Sequence, residues 1–295
     1  MDANPFNRVG PQKRPLQGES GMRSASLLGR DHHHLGHLAT VAEGHAAITL
    51  SRGGASKTYS YTEPNEDVAF FALGDGGSLI AVADGHFGAS GSEALLDFLS
   101  SSRAPEWTAP GPLGHDTRSW QAHSLQTLHA CGRAILNRAA ELGLPPAPST
   151  LSIALIRPEE DQVAWVSAGD SHVFLVDEKG ATDVGWQSLG RRKAYYLGYE
   201  AATPEGMEGT FLAGISPLKG LSAVVLATDG ISEPGIGFPD PAESVQIAMT
   251  ESRETPSETR PIKLAKNLSE AALAIQRTHK AGDNVACAVI DLRKA

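Results

Sequence analysis

The order of the apolar segments limits how this chain can fold more than any other feature. Short apolar runs predict strands at Ala46–Ser51, Asp67–Leu73 and Ser78–Ala83. Two helical segments follow, "GASGSEALLDFLS" from Gly88 and a longer one from about Thr117 to Leu142. The order is therefore strands, helices, more strands, then a helix and a strand. Without regular alternation of strand and helix, it predicts antiparallel sheets with helices on their outer faces, rather than a doubly wound parallel sheet.

The second half of the chain returns to strands. Three consecutive strands joined by tight turns are predicted between Leu151 and Gly180, and a buried strand at Leu221–Thr228. Residues Ile231 to about Pro261 are expected to be irregular or weakly helical. A helix with an apolar face around Leu264 and Leu268 follows, and "NVACAVIDL" predicts the last strand.

Charge and cysteine content exclude some classes of protein. The formal charge of −9 argues against a nucleic-acid surface, which needs clustered Lys and Arg. The run Arg191-Arg192-Lys193 is too short to reverse this and is expected to be a solvated loop. Cys131 and Cys287 both lie in apolar periodic segments, so we expect two buried thiols in a reducing compartment.

The N-terminal region differs from the rest of the chain. It shows no sustained hydrophobic period and no signal-peptide pattern, and no segment approaches the ~18 apolar residues of a membrane helix. We therefore expect a cytoplasmic protein that does not bind membranes, with a disordered tail at residues 1–36 and a single domain at 37–295. The histidine cluster "DHHHLGH" lacks carboxylate or Cys partners at a recognisable spacing, and we interpret it as exposed side chains.

Three acidic residues share one context at the ends of predicted strands. Asp84 follows "LIAVA", Asp229 follows "AVVLAT", and Asp283 precedes "NVACAVI". Taken singly, an Asp-Gly pair is more often an ordinary turn, as we interpret Asp75-Gly76. Taken together, several carboxylates at the rim of a core repel one another unless a cation lies between them. Mg²⁺ and Mn²⁺ prefer such oxygen ligands.

The motifs around these acids resemble those of the metal-dependent protein phosphatase family, also called protein phosphatase 2C. The order and approximate spacing agree from about Ala46 to Leu292. The motifs are "PNEDVAF" (Pro64–Phe70), "VADGHFG" (Val82–Gly88), "STLSIALI" (Ser149–Ile156), "SAGDSHVFLVD" (Ser167–Asp177), "LATDGISE" (Leu226–Glu233) and "GDNVACAVI" (Gly282–Ile290).

The resemblance implies an α+β fold, a four-layer α-β-β-α sandwich in which two antiparallel sheets are flanked by helices. It also implies a site for two divalent cations, Mn²⁺ or Mg²⁺. By position in the motifs, Asp84 would bridge both ions and the Gly85 carbonyl would bind one of them. Asp229 and Asp283 would hold the other ion.

The resemblance further implies hydrolysis of phosphoserine and phosphothreonine by a hydroxide that bridges the two metals. Glu66 and Asp67 would bind or orient water molecules, and Asn284 would orient a ligand or a water. His86 would protonate the leaving oxygen, because the pKa of a histidine lies near neutral pH.

The chain departs from the family pattern in three places. Family members usually have a phosphate-binding arginine shortly before the first acidic motif, whereas here Arg52 is the only nearby arginine and becomes the candidate. No acid follows Glu141 ahead of the "ST" strand, so a third metal is not supported. His172 replaces the usual arginine after the "GDS" turn, which Asp170 is expected to fix.

Two further functions remain open beside the phosphoprotein phosphatase. One is a regulatory module that kept the fold but lost catalysis, for which the missing arginine is the best support. The other is a small-molecule phosphohydrolase that uses the same site. If the protein is a phosphoprotein phosphatase, its expected partners are a phosphorylated protein substrate and a cognate serine/threonine kinase.

Overall fold

The computed structural model describes residues 21–57, 61–112, 116–185, 195–199, 207 and 209–293, and two six-stranded sheets lie within these ranges. All the strand pairings within the two sheets are antiparallel. The first sheet has the strand order β1 (Arg23–Leu28), β4 (Val68–Leu73), β5 (Ser78–Ala83), β6 (Leu151–Arg157), β7 (Gln162–Ala168) and β10 (Phe211–Pro217). The second has the order β2 (Ala39–Glu43), β3 (Ala46–Ser51), β12 (Val285–Asp291), β11 (Leu221–Ala227), β8 (His172–Asp177) and β9 (Ala181–Asp183).

Helices cover the outer face of each sheet. They are α1 (Ser90–Phe98), α2 (Ala104–Trp107), α3 (Thr117–Leu142), α4 (Pro241–Glu251) and α5 (Arg260–His279). The first three pack on the first sheet and the last two on the second. The predicted four-layer sandwich is confirmed. No helix among the described residues is long and apolar enough to cross a bilayer.

Three apolar layers explain why the strands are so uniformly apolar. In β4, Phe70 points to the helices and packs in a cluster with Trp107 and Trp120, whereas Phe71 points between the sheets. Strands β3, β4, β5, β6 and β12 are therefore buried on both faces, and alternation of apolar with polar residues is lost in them. The third layer lies between the second sheet and helices α4 and α5 and includes the free, buried Cys287.

The first part of the chain corrects the sequence prediction. Residues 1–36 were expected to be a disordered tail, but Arg23–Leu28 forms β1 and pairs with β4 along its whole length. The sequence "RSASLL" contains few large apolar residues because β1 is an edge strand whose pairing depends on backbone hydrogen bonds. Within it, Leu27 is buried between the sheets. The remainder of the predicted tail at residues 1–20, like the basic run 191–193, lies outside the described residues.

Two smaller expectations also change. The segment after Ile231, expected to be irregular or weakly helical, contains the regular helix α4, whose first turn is capped by the Asp240 side chain. The expected start of α3 is confirmed, with a capping box between Asp116 and Ser119. It ends at Gly143, whose φ of 66° is the left-handed conformation that glycine adopts without strain.

Candidate metal centre

Five carboxylates converge at one edge of the sandwich because of how the strands pair. Glu66 and Asp67 immediately precede β4, and Asp84 immediately follows β5, so antiparallel pairing of these strands brings the three together. In the second sheet, Asp229 follows β11 and Asp283 precedes β12, which pair in the same way. All but Asp229, which is partly exposed, are buried.

The corner that carries Asp84 is fixed by backbone hydrogen bonds to the start of β6. The Asp84 amide donates to Thr150 Oγ1 at 2.9 Å, and its carbonyl accepts from Ser149 Oγ at 2.8 Å. A side chain at Gly85 would place its Cβ 2.7 Å from the Glu66 carbonyl oxygen. Only glycine allows the backbone after β5 to come this close to the backbone before β4. The His86 amide then donates to Pro148 O at 2.8 Å, which turns the chain toward the site.

Asn284 connects the last strand to the loop before β4. Its Oδ1 accepts from the Glu66 amide at 2.9 Å, and its Nδ2 donates to the carbonyls of Arg52 and Pro64, both at 3.0 Å. The side chain is 1% exposed. Asn284 therefore holds the Glu66 backbone in place.

The two side-chain oxygens of Asp67 differ in their hydrogen bonding. Its Oδ2 accepts from Thr228 Oγ1 at 2.8 Å, whereas its Oδ1 is buried and has no hydrogen-bond partner in the part of the chain that the structure describes. A buried carboxylate oxygen without a partner is costly unless a proton or a cation compensates it. The donor set around it consists of further carboxylates, which suits a hard divalent cation.

The pKa values of the carboxylates also favour a divalent-cation site. Burial raises the pKa of Asp67 to about 7, with a further contribution from Asp283 that Lys57 partly offsets. Burial, followed by repulsion from the neighbouring carboxylates, also raises the pKa values of Asp84 and Asp229 well above the usual range. Buried carboxylates that repel one another in this way are stabilised by a cation between them. The residues present therefore fit a divalent-cation site.

His86 lies on the more open side of the cluster. Its Nε2 is 3.7 Å from Asp84 Oδ2 and has no hydrogen-bond partner among the described residues. Its ring lies edge-on against Tyr196, with 4.3 Å between the ring centroids. Burial lowers the pKa of His86, and Asp170 partly counteracts this. In the metal-free protein the ring is therefore neutral at pH 7.

Asp170 is placed differently from the expectation that it fixes the "GDS" turn. Its Oδ2 accepts from Tyr196 Oη at 2.6 Å, and its Oδ1 is buried without a hydrogen-bond partner among the described residues. One ligand atom from each of Asp84, His86 and Asp170 lies within 4.8 Å of the others, a grouping that could hold a metal ion. The turn itself is supported by Gly169, whose φ is 101°. Asp170 thus belongs to the site rather than to the turn.

Arg52, the predicted phosphate ligand, makes its side-chain hydrogen bond to a residue outside the acidic cluster. Its guanidinium donates to the His33 carbonyl at 2.9 Å. Among the described residues, Lys57 brings a cation into the cluster, with its Nζ 3.2 Å from Asp283 Oδ1 and 3.8 Å from Glu66 Oε2. Lys57 and Tyr196 were both missed from the sequence. Neither lies in a strand-end pattern that marks the carboxylates.

A second polar chain runs behind the Asp229 turn. His172 Nδ1 lies 2.7 Å from Asp183 Oδ2, and its Nε2 lies 2.5 Å from Ser232 Oγ. Ser232 in turn contacts the Asp229 carbonyl, through its amide at 2.6 Å and its hydroxyl at 3.2 Å. His172, which is fully buried, therefore braces the turn that carries Asp229.

Comparison with known proteins is consistent with this geometry. A sequence model described as protein phosphatase 2C matches residues 54–271. Similar solved structures include the catalytic domain of the serine threonine protein phosphatase PstP in complex with two manganese ions, with 21% identity, 86% of this chain and 99% of that chain covered, and a TM-score of 0.57.

Two further structures extend the range of organisms. PppA, described as a key regulatory component of T6SS in Pseudomonas aeruginosa, has 18% identity over 85% of this chain and 98% of its own, with a TM-score of 0.53. A serine-threonine phosphatase 2C from Toxoplasma gondii has 17% identity over 93% of this chain and 100% of its own, with a TM-score of 0.54. At these identities the likeness is one of fold. Comparison with curated protein sequences gave no match.

Proposed function

Because this chain belongs to the protein phosphatase 2C family, we propose that it is a metal-dependent serine/threonine protein phosphatase. The observation that carries the proposal is the set of five carboxylates from two sheets at one edge of the sandwich, in which a buried Asp67 oxygen has no hydrogen-bond partner among the described residues. When bound there, two Mn²⁺ or Mg²⁺ ions would supply a hydroxide near neutral pH and offset charge on a phosphoryl group.

The chain's own residues have distinct tasks in this proposal. Asp84 would lie between the two ions, with the Gly85 carbonyl as a further ligand, while Asp229 and Asp283 would hold the second ion. Glu66 and Asp67 would orient water, since their oxygens are held by Thr62, Glu63 and Thr228. The rigid backbone around Asp84 keeps this arrangement in place before substrate arrives.

His86 would donate the proton that a serine or threonine leaving oxygen needs. Its Nε2, which has no hydrogen-bond partner among the described residues, faces the cluster, where the leaving oxygen would be. Because burial lowers its pKa, the ring has to gain its proton when the substrate binds, and the charge of Asp170 favours the protonated form. Tyr196 holds both the His86 ring and the Asp170 carboxylate and thus positions the donor.

Mn²⁺-dependent hydrolysis of phosphoserine and phosphothreonine peptides tests the proposal. We expect turnover that EDTA abolishes and that Asp229→Asn reduces by about 100-fold or more. Asp97→Asn is the matched control, because Asp97 is an exposed helix residue paired only at the surface with Arg138. If no phosphopeptide is hydrolysed with either metal, the proposal is wrong. Faster turnover of sugar or nucleotide phosphates would instead indicate a small-molecule enzyme.

A regulatory module without catalysis is the second candidate. The observation in its favour is the Lys57 ammonium, which ion-pairs with two of the predicted site carboxylates. Calorimetric titration with Mn²⁺ separates the two functions. A phosphatase should bind Mn²⁺ in a way that Asp84→Asn abolishes, whereas a degenerate site should bind no Mn²⁺ at all.

A further inference from the structure

The Lys57 side chain is buried within the acidic cluster. It is 4% exposed, with Nζ 3.2 Å from Asp283 Oδ1 and 3.8 Å from Glu66 Oε2. A backbone bridge between Lys57 and Gly282 places the lysine directly beside Asp283. The ring of Tyr61 also lies near the ammonium, 5.8 Å from Nζ to the ring centroid. Burial this deep is rare for lysine and requires compensating charge.

The surrounding carboxylates keep the ammonium charged. Burial alone would lower the pKa of Lys57, but Asp283, Asp67, Asp84 and Glu66 together raise it above its ordinary value. The two ion pairs, with Asp283 and Glu66, are the contacts of a cationic ammonium. In the metal-free protein it provides a positive charge to carboxylates that would otherwise only repel one another.

The same position conflicts with a divalent ion. A ligand oxygen lies about 2.0–2.1 Å from Mg²⁺. An ion bound at Asp283 would share Oδ1 with the ammonium or bind Oδ2 of the same carboxylate, so in either case it would lie close to Nζ, which is 3.2 Å from Oδ1. Two positive charges this close in a buried site repel strongly. An ion that binds Asp283 therefore requires the ammonium to withdraw or has to bind against its charge.

We propose that Lys57 is the built-in counter-cation of the metal-free site and that it weakens divalent-cation binding by competing for Asp283 and Glu66. The proposal rests on the proposed function, because it takes the carboxylates as metal ligands. It makes Lys57 a positioning residue that sets metal affinity. The protein would then bind its metal ions only above a divalent-cation concentration that depends on Lys57.

Calorimetric titration with Mn²⁺ at pH 8 tests the proposal, since proton competition for the carboxylates is small there. Lys57→Met removes the charge with little change in length, and we expect its Mn²⁺ dissociation constant to be at least about tenfold lower than that of the wild type. Lys57→Arg keeps the charge and should not tighten binding. Lys266→Met, the same change at an exposed lysine of α5, is the matched control.

Thermal unfolding gives an independent readout. In EDTA, Lys57→Met should unfold at a lower temperature than the wild type, because it leaves buried carboxylates without their counter-cation. Mn²⁺ should then raise its unfolding temperature by more than it raises that of the wild type. Should Lys57→Met fail to fold without metal, Lys57→Gln offers the same comparison with a neutral hydrogen-bond donor.

The possible outcomes separate this inference from the proposed function. If the wild type binds Mn²⁺ and Lys57→Met binds it no more tightly, the inference is overturned while the phosphatase proposal stands. If only Lys57→Met binds Mn²⁺, the inference is supported and the wild-type site is one that lysine blocks. If neither protein binds Mn²⁺, both proposals are overturned.

Discussion

The two sides of the acidic cluster are built in different ways. We call Lys57, Glu66, Asp283 and Asn284 the anchored side, because their polar groups are buried and bonded to one another or to nearby backbone. His86, Asp170 and Tyr196 form the open side, where His86 Nε2 and Asp170 Oδ1 lack a hydrogen-bond partner among the described residues. Fixed oxygens suit the binding of cations, whereas a free nitrogen suits proton transfer.

The difference follows from where each side lies in the fold. The anchored side is formed by residues next to the central strands β4 and β12, which neighbouring strands hold on both flanks. The open side lies on the turns after β5 and β7 and on the short described segment 195–199. Such loops place reactive groups at the surface, where substrate can reach them.

Asp84 joins the two sides, and its loss should have the largest effect. Asp84→Asn should abolish Mn²⁺ binding and lower kcat/KM by about 1000-fold, equivalent to about 4 kcal/mol of lost transition-state stabilisation. It should also raise the unfolding temperature in EDTA, because a strongly repelled buried carboxylate is removed. Calorimetry and scanning calorimetry check the two parts. Unchanged Mn²⁺ affinity would exclude Asp84 as a ligand.

His86→Asn should affect only the open side. We expect a loss of about 100-fold on phosphoserine peptides, where the leaving oxygen needs a proton, and little change on p-nitrophenyl phosphate, whose leaving group does not. Mn²⁺ affinity should remain near that of the wild type. Equal losses on both substrates together with weaker Mn²⁺ binding would instead make His86 a ligand, in line with its grouping with Asp84 and Asp170.

The stability of the metal-free protein should depend on pH through the carboxylates. The folded protein raises the pKa of Asp67 to about 7 and also raises those of Asp84 and Asp229, so it holds protons that the unfolded chain releases above about pH 4. Its unfolding free energy should therefore fall as the pH rises from about 4 to about 7.

Urea unfolding across this pH range, with EDTA or with saturating Mn²⁺, measures the effect. The fall in unfolding free energy should be smaller with Mn²⁺, because a bound cation replaces the protons. Asp84→Asn should also reduce it in EDTA. An equal fall with and without Mn²⁺ would mean that these carboxylates do not bind the ion.

The smallest effect concerns the loop beside His86. Phe87 is 67% exposed and has a φ of 63°, a left-handed conformation that is strained for a residue with a side chain. Phe87→Gly should therefore stabilise the protein by about 0.5–1 kcal/mol. Phe87→Ala keeps the strain, and we expect no such gain from it. If both variants unfold at the same denaturant concentration, the strain account of this loop is wrong.

Most of the carboxylates of the acidic cluster could be predicted from the sequence. Asp84, Asp229 and Asp283 border apolar strands, and antiparallel pairing then brings them to one edge without further information. The family motifs added Glu66, Asp67 and Asn284. The two-sheet sandwich could also be predicted, since the order of strands and helices leaves few alternatives.

The remaining residues depend on contacts between distant parts of the chain. The position of Lys57 is set by a bridge to Gly282, and Tyr196 reaches His86 because the neighbouring Leu197 pairs with Ser149. No local sequence pattern predicts either contact. Strand β1 was missed for a related reason, because an edge strand with few large apolar residues resembles a polar tail until its partner is known.

One hydroxyl links the two sheets at the site. Thr228 Oγ1 donates to Asp67 Oδ2 at the start of β4 and accepts from the Ala286 amide in β12 at 2.9 Å. The distance between the carboxylates of the two sheets therefore depends on how one sheet is positioned against the other. Fraying of a helix should leave this distance unchanged. A shift of one sheet against the other would change it before either sheet unfolds.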